Sequence, residues 1–178
     1  MSDTTIEPIA ANLGSKTPST PAHEAAAELK SLYPNVTGDD TRDGYEGLLI
    51  YPDSITDVAK SLRDDLGFNY LSSVTGVDYI EEGKLELVYH FYSISEGGGP
   101  LVLKVQVDRD NPVVPSLVNV FPGAEFQERE AFDMYGFNFL GHPDPRRILT
   151  WDGFHGHPLR KDWKEAFYEE DYKPFGSR

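Results

Sequence analysis

Apolar residues recur every three or four positions over 22–32, where Ala22, Ala25, Leu29 and Leu32 share one stripe. Thr20 as N-cap, Pro21 at the first helical position and Pro34 as breaker bound a short amphipathic helix there. Residues 45–51 read as a strand that ends at Pro52 and Asp53. Helical spacing returns after Ser54, a candidate cap. Ile55, Val58, Ala59, Leu62 and Leu66 form a second stripe, and Gly67 supplies a left-handed stop. Runs at 69–80, 85–94 and 101–108 predict three strands, joined by Glu81-Glu82-Gly83-Lys84 and by Gly97-Gly98-Gly99, both short enough for hairpins. A strand, a helix and a three-strand meander predict an α+β fold, a small mixed sheet covered by helices on one face.

Past Asn111 the pattern changes. Pro112 and Pro115 introduce a helical turn over 115–120, and Pro122 opens a helix over about 123–135 that stops at Gly136. Beyond Gly136 neither period persists. Pro143, Pro145, Pro158 and Pro174 alternate with Gly141, Gly153, Gly156 and Gly176, so 137–178 reads as an extended, mostly irregular C-terminal arm. Residues 1–20, rich in Ser, Thr, Pro and Ala, read as a mobile tail, which leaves 21–136 as the α+β domain.

Composition narrows the function classes. A net charge of −14 opposes nucleic-acid phosphates and anionic lipid surfaces. With no cysteine, the chain alone supplies no thiolates for an iron–sulfur cluster, a zinc ribbon, a disulfide or a cysteine nucleophile. No apolar run approaches a membrane span, and the first residues carry neither a basic nor an apolar leader region. The expectation is a soluble, intracellular protein that can sit on a membrane complex.

The stretch EREAFDMYG, 128–136, crowds charges onto the last helix. Glu125, Arg129 and Asp133 fall at i, i+4 and i+8, the spacing of a solvated ion-paired stripe, with Ala131, Phe132, Met134 and Tyr135 turned inward. Glu128 and Glu130 point about 200° apart and cannot act on one substrate atom. His142, His155 and His157 with Asp144 and Asp152 include a His-x-His spacing, but no established metal-binding motif. The three glycines lie between strands rather than before a helix, unlike a phosphate loop. Tyr89 and Phe91 share one strand face, as in an RNA-stacking sheet, yet the acidic balance favours their burial. The arm mixes Phe137, Phe139, Trp151, Phe154 and Trp163 with Arg146, Arg147, Arg160 and Lys161, a composition typical of interface anchors, and reads as a docking strap.

Three blocks in order, EREAFDMYG, GHPDPRRIL and HPLRKDW within 111–163, resemble the 30-kDa, or C-type, subunit of respiratory complex I, the proton-translocating NADH:quinone oxidoreductase. The resemblance extends over about 45–163; Pro145 stands where leucine is frequent. It implies a non-catalytic scaffold without cofactor or metal of its own. NAD, FMN, iron–sulfur clusters and quinone would belong to neighbouring subunits. It implies partners equivalent to subunits D, B and I, and a peripheral position on the cytoplasmic face of the bacterial inner membrane. Carried onto this sequence, the interface with other subunits comprises Glu128, Arg129, Glu130, Asp133, Gly136, His142, Pro143, Arg146, Arg147, Pro158, Leu159, Arg160, Lys161 and Asp162. The alternatives are the equivalent subunit of a ferredoxin-dependent quinone reductase or membrane-bound hydrogenase, and, more distantly, a metal-dependent enzyme using the histidines.

Overall fold

Pro21 and Pro34 confine the first apolar stripe to α1, Pro21–Leu32, in a computed structural model that describes residues 21–95, 97 and 99–164. The expected tail, 1–20, and the end of the arm, 165–178 with Pro174 and Gly176, lie outside the described residues. In α1, Ala25 and Leu29 are buried. The second stripe forms α2, Ile55–Asp64, and buries Ile55, Val58, Ala59 and Leu62. Full burial of each large side chain among them contributes about 1.5–3 kcal/mol. Ser54 does not cap α2 through its side chain. It ends a 3-10 turn, Pro52–Ser54, opened by Pro52, so the turn rather than the hydroxyl starts the helix.

Among the described residues five strands form one mixed sheet in the order β1-β2-β5-β4-β3: β1, Thr37–Asp39; β2, Leu48–Ile50; β3, Tyr70–Tyr79; β4, Lys84–Tyr92; β5, Leu101–Asp108. The β2–β5 pair is parallel and the other pairs antiparallel. The strand expected over 45–51 is shorter: Gly47 sits at φ 119, outside extended geometry, and β2 begins only after it. Strand β1 was not expected; its three residues carry no alternating pattern, and pairing with β2 defines it.

Register decides which face is covered. Leu71, Val74, Gly76 and Asp78 of β3 stand opposite Phe91, Tyr89, Leu87 and Leu85 of β4, which stand opposite Leu101, Leu103, Val105 and Val107 of β5. Those strand residues, apart from Gly76 and Asp78, join Leu48 and Ile50 and the buried side chains of the helices in one core cluster. The helices therefore cover one face, as the sequence predicts, and the Tyr89 and Phe91 rings lie in that core rather than on an RNA platform.

The opposite face is polar. There the loop after β1 lays Asp40 and Arg42 over the sheet: Lys104 Nζ donates to Asp40 Oδ2 at 2.7 Å, and Arg42 Nη2 to Glu86 Oε2 at 2.8 Å. Gln106 also donates to Glu86, at 2.7 Å, and the Tyr45 ring faces Arg42 and Lys104 at 4.4 and 4.9 Å. Two cations and two carboxylates thus compensate one another where they leave water. The Arg42 guanidinium holds Asp40 well below the usual carboxylate range, against the opposing effect of burial.

Beyond β5, β6 (Val113–Pro115) and β7 (Asn138–Leu140) form a separate parallel pair on either side of α3 in the chain, Ala124–Tyr135. The helical turn expected over 115–120 begins after β6, where Val120 and Phe121 N–H groups donate to the Leu117 carbonyl. Phe137 and Phe139, at the start of the arm, are buried in the core cluster. From Gly141 to Lys164 the described chain passes through turns and returns across α3.

Candidate functional site

Ala124 and Ala131 press α3 into the core, and Gly136, at φ 80, ends it with its N–H on the Phe132 carbonyl. The expected solvated stripe does not exist: Asp133 is 0% and Arg129 8% exposed. The covering layer is the arm itself. The Ile148, Leu149 and Thr150 N–H groups all donate to Asp133 Oδ2, at 3.1, 2.8 and 2.9 Å. The Thr150 hydroxyl and Arg147 Nη1 donate to Oδ1 at 2.6 and 2.7 Å. Three successive amides around one carboxylate make an anion nest. Burial acts to raise the Asp133 pKa, but these donors outweigh it and hold the group at about 2.

The other charges on α3 are similarly engaged. Arg129 Nε donates to the Arg146 carbonyl at 3.0 Å and Nη1 lies 3.4 Å from Asp144. Glu128, 0% exposed, accepts from the Leu117 N–H at 2.7 Å and the Ser116 hydroxyl at 2.6 Å, fixing the turn after β6 to the helix. Burial pushes its carboxyl up to about 7, with those two donors opposing. Glu130 alone of this run faces solvent.

The histidines do not converge. Because a carbonyl only accepts, His142 must donate from Nε2 to Glu125 O, 3.1 Å, while its Nδ1 accepts from the Asp144 N–H at 3.0 Å. His157 donates from Nδ1 to the Asp133 carbonyl at 3.0 Å, and burial lowers its pKa. His155 is exposed, and no three His, Asp or Glu groups are placed to hold a metal ion among the described residues.

A second fastening joins the arm to the sheet. Arg109, just after β5, grips Asp78 of β3 with Nε and Nη2 at 2.8 and 3.1 Å, and also pairs with Asp162 of the arm. The Lys161 N–H donates to Asp78 Oδ2 at 2.8 Å. The Arg109 guanidinium lowers the Asp78 pKa against burial. Between the two fastenings the Leu159 N–H donates to Met134 O at 3.1 Å and Arg160 Nε to Tyr135 O at 2.6 Å, so the arm also satisfies the last carbonyls of α3. Asp78, Arg109, Ser116 and Thr150 were not singled out from the sequence. The one available signal was Asp78 itself, a charge at a position of β3 that alternation assigns to the core.

The residues expected at an interface with other subunits thus divide. Glu128, Arg129 and Asp133 are buried within this chain, and Gly136, His142, Arg147, Pro158 and Arg160 are partly covered by it. Glu130, Pro143, Arg146, Leu159, Lys161 and Asp162 are exposed, Asp162 while paired with Arg109. Large apolar side chains also stand in solvent here: Leu140 at 54%, Leu149 at 60%, Trp151 at 58% and Leu159 at 50%.

Residues 48–169, from β2 into the arm, match the family model described as respiratory-chain NADH dehydrogenase, 30 Kd subunit. The chain belongs to this family. The matched span of the 30-kDa family contains Asp78, Arg109, Asp133 and the arm residues that meet them. The C-type subunit of the NADH-quinone oxidoreductase of Moorella thermoacetica is 43% identical over 139 residues, covering 77% of this chain and 91% of that one. Two solved structures share the fold of this 30-kDa family member. One is the trypsin-resistant fragment of Nqo5, with a TM-score of 0.59 at 21% identity over 70% of this chain and 99% of that one. The other is the membrane-bound sulfane sulfur reductase, an archaeal respiratory membrane complex, at 0.66 and 24% over 85% of this chain and 97% of its matching chain.

Proposed function

We propose that this chain is a peripheral, non-catalytic subunit of a proton-translocating, complex I-type NADH–quinone oxidoreductase. Family membership over 48–169 carries the reading, because it includes most of the arm and not the domain alone. The side chains agree with a positional role. The buried carboxylates Asp78 and Asp133 are already engaged by Arg109, Arg147 and backbone amides, and no cysteine is present to hold a cluster. The chain holds neighbouring subunits at fixed spacing while NAD, FMN, iron–sulfur clusters and quinone react in those neighbours. The expected partners are the equivalents of subunits D, B and I, on the cytoplasmic face of a bacterial inner membrane. Contacts would be made by the exposed members of the arm, among them Pro143, Arg146, Leu159 and Lys161, with Glu130 beside them.

The same fold in a sulfane sulfur reductase complex favours one second reading, an equivalent subunit in an assembly with another electron donor. The test is to tag the chain, extract it from its own membranes in mild detergent, identify the co-purifying proteins by mass spectrometry and assay NADH oxidation. A cluster-bearing assembly that oxidises NADH is expected. One without that activity selects the second reading, and a lone chain refutes both.

A further inference from the structure

Asp40, Asp78, Glu86, Glu128 and Asp133 all hold their carboxylates out of water. Lys104 stands on Asp40, Arg109 on Asp78, Arg42 on Glu86 and Arg147 on Asp133, at 2.7 or 2.8 Å. Among the described residues no cation pairs with Glu128. Its neighbour Arg129 is spent on the Arg146 carbonyl and Asp144. Where Asp133 collects three amides, a hydroxyl and a guanidinium, Glu128 has one amide and one hydroxyl. The cleft beside it, bordered by Arg129, Phe132, Phe139, His142 and Pro145, leaves no room for a water molecule. A charge there would have neither counter-ion nor solvent, so ionisation requires the surroundings to open.

The hydrogen bonds say which part opens. An N–H only donates, so Oε1, 2.7 Å from the Leu117 amide, carries no proton. Oε2 and the Ser116 hydroxyl, 2.6 Å apart, share a proton in either sense: a neutral carboxyl donates to Oγ, and an ionised one accepts from it. Ser116 Oγ also accepts from the Val118 N–H at 3.2 Å, so the amides of both Leu117 and Val118 depend on this contact. The Ser116 N–H does not, since it donates to the Leu140 carbonyl at 2.9 Å. From β4 the site is faced by Tyr89, whose buried hydroxyl is held neutral by burial and by the Glu128 charge. From the arm it is faced by His142, which is tied to Glu125 O and the Asp144 N–H.

We propose that Glu128 is a proton-binding site that latches the turn after β6 onto α3: its carboxyl is neutral while the turn is closed, and loss of the proton lets Leu117 and Val118 come away. The Oε2–H bond breaks, its electron pair stays on the carboxylate, and the proton passes to water. The latch belongs to the chain itself and does not depend on which assembly takes it up.

The test uses the purified full-length chain between pH 5 and 8. The Glu128 carboxyl carbon, assigned by NMR through its own side-chain methylenes, should titrate near pH 7. Over the same range the protection of the Leu117 and Val118 amides, corrected for the intrinsic pH dependence of exchange, should fall roughly 50-fold. That is the factor by which a shift from 4.5 to about 7 favours an open form in which the group is free. At pH 8 these two amides should still exchange faster than those of Ser116 and central β4, which marks an opening short of unfolding. Glu128→Gln keeps an acceptor for Leu117 and a donor for Ser116, and should hold the protection constant with pH. Should that variant not fold, Ser116→Ala removes a donor that favours the ion, and should move the carboxyl midpoint and the loss at Leu117 to higher pH. A Glu128 carboxyl that titrates below pH 5.5 overturns the proposal. So does protection at Leu117 and Val118 that is indifferent to pH, exchange there no faster at pH 8 than in β4, an undiminished loss in Glu128→Gln, or a midpoint unmoved by Ser116→Ala.

Discussion

The ring of His157 occupies the space above Gly136, where an added Cβ would fall 2.5 Å from Nε2. Gly136 is thus required twice, once for its φ of 80 at the end of α3 and once to admit the arm. Gly83 provides the contrast, with φ 63 and nothing within 4 Å of its virtual Cβ. Gly136→Ala should cost about 1–3 kcal/mol in backbone strain plus the displacement of His157. Gly83→Asn, in open space with a residue that tolerates this conformation, should cost less than about 1 kcal/mol. Urea denaturation of both variants checks the pair, and equal costs would deny the arm its place over α3.

Arg109 should be worth far more than its count of charges suggests. Its partner Asp78 is 1% exposed, so Arg109→Ala leaves a buried carboxylate whose loss of partner costs about 3–5 kcal/mol. The exposed pair Lys30–Asp39, 41% and 62% exposed, is a control: Lys30→Ala should change stability by less than about 1 kcal/mol. The order of the two denaturation midpoints is the readout.

Two buried carboxylates on α3 give opposite pH dependences. Asp133 falls from 3.8 to about 2 on folding, so its contribution is complete above pH 4 and is lost as pH drops through 2. Glu128 rises from 4.5 to about 7, so its contribution is complete below pH 4.5 and is lost as pH climbs through 7. Each shift corresponds to roughly 2–4 kcal/mol. Stability measured from pH 3 to 8 should therefore decline above pH 5, and Glu128→Gln should flatten that decline and match or exceed wild type at pH 8. An equally steep decline in the variant would assign it to another group.

The Tyr89 hydroxyl is buried and makes no hydrogen bond among the described residues, while its ring stacks with Phe91 at 6.2 Å. Tyr89→Phe keeps the ring and removes the unsatisfied group, so thermal unfolding should move upward or by less than about 1 kcal/mol downward.

The periodic elements were legible because their signal is local: the Ile55, Val58, Ala59 and Leu62 stripe, the glycine stops and the long strands β3–β5 all appear where spacing placed them. Strands β1, β6 and β7 have three residues each, too few to show a period, and exist through pairing with distant partners. In the candidate site, spacing put Glu125, Arg129 and Asp133 on one side of a helix but carried no information about what would cover it. The cover arrives 15 to 17 residues later for the amides on Asp133 Oδ2, by a path no pattern encodes. Asp78 and Arg109 were missed for a related reason, since sheet register and chain reversal bring them together across 31 residues.

The most direct test of the account is chemical cross-linking of the intact, detergent-extracted assembly at lysine side chains, followed by mass spectrometry. Lys161 and Lys164 stand exposed on the arm, whereas Lys60 is on the outer side of α2, away from it in the chain. The account predicts links from Lys161 and Lys164 to other subunits of an NADH-oxidising complex. Links from these lysines only to residues of the same chain, within an assembly that contains it, would contradict it.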